Sequence, residues 1–81
     1  MGLDTVEIVV LTEKKFGVHI PDEAAENIAT VGQLIDFVAK EVNEDSGRVA
    51  REIIRIVSEV SGIPPHEIKS EHSFTNDLGL D

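Results

Sequence analysis

In the run Gly47-Arg48-Val49-Ala50-Arg51-Glu52-Ile53-Ile54-Arg55-Ile56-Val57-Ser58-Glu59-Val60-Ser61-Gly62-Ile63-Pro64-Pro65, the apolar residues Val49, Ile53, Ile56, Val57 and Val60 recur at steps of three and four. That spacing gathers them on one side of an α-helix. Gly62 can take the left-handed conformation that closes such a helix, and Pro64-Pro65 cannot continue it. Upstream, Asn43-Glu44-Asp45-Ser46-Gly47 is a polar, glycine-containing break. Before the break, Val31, Leu34, Ile35, Val38 and Val42 supply the stripe of another long helix, opened by Thr30 with Gln33 as a capping box.

Nearer the N-terminus, Pro21, Asp22 and Glu23 suit the first turn of a short helix through Ala24, Ala25 and Asn27, after an extended Val18-His19-Ile20. Asp4 with Glu7 predicts an N-cap for a first helix. Leu3, Val6, Val10 and Leu11 fall on one side of it, and Gly17 ends it near Phe16. From Pro64 to Asp81 the chain reads as one long loop with a single turn around His66-Glu67-Ile68. Its apolar residues Ile68, Phe74, Leu78 and Leu80 predict docking on the helices. Little alternates like a strand, so the fold class is all-α, in a single domain over residues 1–81.

Seven basic against sixteen acidic residues give a net charge of −9, which disfavours nucleic acid and anionic membranes and favours basic protein surfaces. The absence of cysteine removes disulfides and thiolate chemistry and suits a reducing, cytoplasmic compartment. No stretch reads as a membrane span or an export signal.

Phe74-Thr75-Asn76-Asp77-Leu78-Gly79-Leu80-Asp81 at one end and Leu3-Asp4-Thr5-Val6-Glu7-Ile8-Val9 at the other, read end to start, resemble the F-x-x-D-L-G-x-D-S-L-D-x-V-E-x-V signature of acyl carrier proteins. Phe16 to Ala25 resembles that family's F-x-x-x-I-P-D-E-x-A. Rotated to begin at Gly47, the chain is similar to the family over nearly its whole length. The resemblance implies a four-helix bundle of three long helices and one short, circularly permuted, opened at the D-S-L motif. Residues 43–47 would then join the family's original termini. A Met-Gly start and a finish at Asp81 fit an engineered cut.

The resemblance also implies a function: holding acyl intermediates of fatty acid or related biosynthesis as thioesters on 4′-phosphopantetheine. In the family that arm is carried by the serine of D-S-L. Gly2, flanked by Asp81, Leu3 and Asp4, stands at that position and has no hydroxyl. The chain is therefore expected to stay unmodified, since Ser46, Ser58, Ser61, Ser70 and Ser73 lack the D-S-L context. The implied partners are a phosphopantetheinyl transferase and the synthesis enzymes, met by Asp4, Glu7, Glu13 and Asp81, with Lys14 where acids are usual. The implied acyl pocket is formed by Leu3, Val6, Val10, Ile20, Ala24, Ile28, Phe74 and Leu78. Thr12 takes a position where the family prefers leucine, which would narrow or wet that pocket.

The same aliphatics serve equally as plain core. An engineered scaffold that keeps the fold alone, or a polyketide or peptidyl carrier, are the alternative readings. His19, His66 and His72 lack metal-ligand spacing, and residues 76–81 lack the alternating oxygen ligands of a calcium loop. No metal site follows from either. No nucleophile, base and orienting group stand together in a motif, so the reading is of a non-enzyme. The short join predicts either a monomer or, if it straightens, a dimer that exchanges halves.

Overall fold

The computed structural model describes residues 3–80. Helices α1 (Leu3–Phe16), α2 (Asp22–Asn27), α3 (Val31–Val42) and α4 (Ser46–Ser61) are followed by one 3₁₀ turn, Pro65–Glu67. The described residues contain no strand, only an isolated antiparallel bridge between Thr30 and Ser73. An all-α domain with three longer helices and one short is thus observed.

Helix α4 is the spine. It buries Val49, Ile53, Ile56 and Val57 and packs against both α1 and α3. Val31, Leu34, Ile35 and Val38 of α3 and Ile8 of α1 meet this face, and Ile20, Ala25, Ile68, Phe74 and Leu80 complete the core. Each valine, leucine, isoleucine or phenylalanine among them contributes about 1.5–3 kcal/mol when withdrawn from water. Gly62, at φ 77°, ends α4 in the left-handed region, its N–H donating to the Ser58 carbonyl at 2.8 Å. The Ser58 hydroxyl in turn donates to the Ile63 carbonyl at 2.6 Å.

The break between the two long helices is shorter than the sequence suggests. Helix α3 ends at Val42, Asn43 is left-handed at φ 54°, and Asp45 is extended at the start of α4. Residues 43–45 therefore suffice for the turn, and Ser46 and Gly47 belong to the first turn of α4. Asparagine tolerates the left-handed region better than other non-glycine residues, which lets α4 fold back on α3 without a glycine at the bend.

Two expectations for α1 are corrected. Among the described residues α1 already runs from Leu3, so Asp4 lies within the helix rather than at its cap. The inward face is Thr5, Ile8 and Thr12, whereas Leu3, Val6 and Val10 are exposed, Leu3 at 86%. The sets 3-6-10 and 5-8-12 have the same period but are offset by two residues, which is about 200° around a helix. With apolar residues on nearly every side of this run, periodicity alone could not choose between them. Packing on α4 chose the face whose threonines are compact.

The long C-terminal loop docks on the start of α3 and completes that helix's hydrogen bonding. An α-helix leaves its first N–H groups without intrahelical partners. Here the Thr30 N–H donates to Gln33 Oε1, Val31 to the His72 carbonyl at 3.0 Å, Gly32 to the Ser70 carbonyl at 2.8 Å, and Gln33 to Thr30 Oγ1 at 3.1 Å. The expected capping box is present. The Phe74 N–H donates to the Ala29 carbonyl, and Ile68, Phe74 and Leu80 are buried while Leu78 is half-buried against them. Gly32 is the contact point: a Cβ there would lie 3.0 Å from the Ser70 carbonyl oxygen.

No helix among the described residues is long and apolar enough to cross a membrane.

Candidate functional site

A cavity of about 200 Å³ lies where α1, α2, the start of α3 and the docked loop converge. Thr5, Ile8 and Val9 line it from α1, Ala25 from α2, Ile28 and Ala29 from the segment after α2, Leu34 from α3, and Phe74 and Thr75 from the loop. Its walls are aliphatic and aromatic, with the two threonines as polar groups. An apolar cavity of about 150 Å³ stays dry and accepts a benzene-sized ligand, so this one has room for a short apolar chain. Phe74 is fixed by its N–H bond to Ala29 and by its own carbonyl, which accepts the Leu80 N–H at 2.8 Å.

The residues expected to form an acyl pocket divide into three groups. Ile28 and Phe74 line the cavity. Val6, Val10 and Ile20 instead border a shallow groove between α1 and α2, together with Glu13, His19 and Asp22. Ala24 and Leu78 pack against the core from outside, and Leu3 points away from it. For α1 the cause is the two-residue offset of its inward face, which brings Thr5 and Ile8, with Val9 beside them, to the cavity in place of Leu3, Val6 and Val10. In α2 the shift is one residue, and Ala25 rather than Ala24 is buried.

Thr12 is fully buried, and its Oγ1 has no hydrogen-bond partner. It lies below Ile8 and does not line the cavity, so it neither narrows nor wets it.

The acidic residues of α1 are not equivalent. Glu7 is exposed and Asp4 half-buried. Glu13 is committed elsewhere: its Oε2 accepts the Ile20 N–H at 2.8 Å and stands 3.4 Å from His19 Nδ1. That carboxylate ties the connection before α2 to α1, a structural task that sequence position did not reveal. Lys14 is exposed beside it. Gly2 and Asp81 lie outside the described residues.

At Gly2, the position that the resemblance gives to the phosphopantetheine arm, the chain offers no hydroxyl, and several of its other serines are engaged in local hydrogen bonds. Ser58 donates to the Ile63 carbonyl, the Ser61 hydroxyl accepts the Ile63 N–H, and Ser73 Oγ accepts the Asn76 and Asp77 N–H groups. The Ser73 N–H is held reciprocally by Asp77 Oδ2 at 2.7 Å. Ser46 starts α4, whereas the cavity lies at the start of α3, and the 12 residues of α3 separate those ends by about 18 Å. Ser70 is exposed in the docked loop, its carbonyl bound to Gly32.

His72 Nδ1 accepts the Lys69 N–H at 3.1 Å, and His66 stands beside Glu67. Among the described residues, no three histidine, aspartate or glutamate side chains stand close enough together to hold a metal ion. No family model and no solved structure matches the chain at a significant level.

Of the cavity-lining residues, Thr5, Ile8, Val9, Ala25, Ala29, Leu34 and Thr75 escaped the sequence reading of the pocket. Leu34 carried a usable signal as part of the stripe of α3. Thr5, Ile8, Val9 and Ala25 depend on how far α1 and α2 are rotated about their axes, and Ala29 and Thr75 on where the C-terminal loop docks.

Proposed function

We propose that this chain is an acyl-carrier-type bundle with its segments in rotated order, whose parent function is to hold acyl intermediates as thioesters in fatty acid or related synthesis. The observation that carries the reading is the cavity, lined at once by Thr5 near the start of α1 and by Phe74 and Thr75 of the C-terminal segment. The two stretches whose sequences resemble the two halves of the carrier signature thus border one apolar space. As written, the chain has no attachment serine, so it carries no covalent acyl group and stays unmodified. Partner recognition rests on the exposed stripe of Leu3, Val6 and Val10 with Glu7 beside it, an apolar and acidic face suited to basic enzymes.

Intact mass after incubation with coenzyme A and a broad-specificity phosphopantetheinyl transferase is the test. No mass change is expected for this chain, and one phosphopantetheine is expected on a Gly2→Ser variant. Addition to the unaltered chain would overturn the first half of the proposal. A folded Gly2→Ser variant that stays unmodified would overturn the second.

A further inference from the structure

The chain holds seven basic residues, and its only three arginines, Arg48, Arg51 and Arg55, all lie within eight residues of α4. The four lysines are scattered elsewhere. At spacings of three and four the arginines share one face of the helix, opposite the buried Val49, Ile53 and Val57. All three are exposed, and they line a shallow groove with Glu52. Along the axis, Arg51 and Arg55 are separated by about 6 Å and the full row spans about 10 Å.

This arrangement works against the helix that carries it. Like charges at i, i+3 and i, i+4 destabilise a helix, yet the carboxylates in reach do little to relieve them. Glu44 stands 3.8 Å from Arg48, at the long end for an ion pair. Glu52, inside the groove, stands 3.7 Å from Lys15 of α1, an equally long pair, and makes no ion pair with any of the three arginines. Glu59, one turn beyond Arg55, makes no ion pair with it, and among the described residues none is made by Arg51 or Arg55. On a protein with sixteen acids to spend, two adjacent guanidiniums are left without one. Guanidinium, unlike ammonium, presents a planar fork that binds phosphate oxygens in pairs.

We propose that the outer face of α4 binds a small soluble polyphosphate, two or more linked phosphoryl groups lying along Arg48, Arg51 and Arg55. A linked chain contacts successive guanidiniums, whereas a single orthophosphate engages one neighbouring pair. The net charge of −9 opposes any anion at long range, so at matched ionic strength only short-range, multidentate contact can set a linked phosphate apart from simple charge screening. The site is on the opposite side of α4 from the core and is independent of the apolar cavity.

The test is thermal unfolding of the full chain with sodium tripolyphosphate, with orthophosphate and sodium chloride at matched ionic strength as controls. A ligand that binds only the folded state raises Tm. Tripolyphosphate is expected to raise it, the controls to raise it less, and the Arg51→Gln/Arg55→Gln double variant to lose the extra increment. In parallel, amide chemical shifts should move in residues 44–59 and stay fixed around the cavity, with an affinity for the double variant reduced at least about tenfold. Equal Tm increments from tripolyphosphate and matched chloride would reduce the effect to charge screening and overturn the proposal. So would an unchanged response in the double variant, or shifts confined to other parts of the fold.

Discussion

Gly32 and Gly47 occupy the same position, second in their helices, and the same substitution at each should act with opposite sign. Alanine in place of a helical glycine gains about 0.5–1 kcal/mol from backbone entropy and propensity. At Gly47 the new Cβ would meet only the Asp45 Oδ2 at 3.1 Å, the end of a side chain that makes no capping bond and is free to rotate away. Gly47→Ala should therefore keep most of the gain. At Gly32 the Cβ would meet the Ser70 carbonyl oxygen at 3.0 Å and the Ser70 Cβ at 3.3 Å. That oxygen is held in place, because it accepts the Gly32 N–H at 2.8 Å.

Forcing the docked loop outward costs about 1–3 kcal/mol by overpacking, and stretching the Gly32 to Ser70 bond adds to it. Net of the propensity gain, Gly32→Ala should destabilise by roughly 0.5–2 kcal/mol. For a domain of this size about 1 kcal/mol moves Tm by 4–8 °C, so the two variants should differ by on the order of 10 °C. Thermal and urea denaturation on both proteins measure this, with amide exchange at Val31 and Phe74 reporting the loop itself. If Gly32→Ala stabilises as much as Gly47→Ala, the loop is not seated on the start of α3 and the cavity wall formed by Phe74 loses its support.

Replacing Thr12 by valine keeps the shape and removes a buried hydroxyl with no partner; stability to urea should rise by about 1 kcal/mol, and a loss would mean that the hydroxyl is bonded. Ile8→Ala should cost about 2–5 kcal/mol, whereas Val6→Ala or Val10→Ala should change stability by no more than about 0.5 kcal/mol; the reverse order would restore the face expected from sequence. Thr30→Ala removes half of the capping box and should cost about 1 kcal/mol in the same denaturation assay. In hydrogen exchange, residues 74–80, which rest on the Ala29 and Ser73 carbonyls, should open at lower free energy than the middle of α4; equal protection would show that the segment unfolds only with the whole bundle.

The sequence by itself determined the helices and most of their ends. The stripes of α3 and α4, the Thr30 and Gln33 capping box, and the glycines at 17 and 62 are local features, each set by residues within one or two turns of one another. Docking of Ile68, Phe74 and Leu80 was legible as well, because a long loop with that apolar content has few other places to put it. Only the tertiary structure decided which side of α1 faces inward. A helix apolar on nearly every side carries no internal reference, and the choice of Ile8 over Val6 and Val10 is made by contact with α4. The cavity inherits that choice, so its walls could not be read from motif positions alone. The roles of Glu13, tied to the Ile20 N–H, and of Gly32, against which Ser70 rests, are of the same kind. Each depends on a partner that lies outside its own helical turn, and such a partner is brought into reach only by folding.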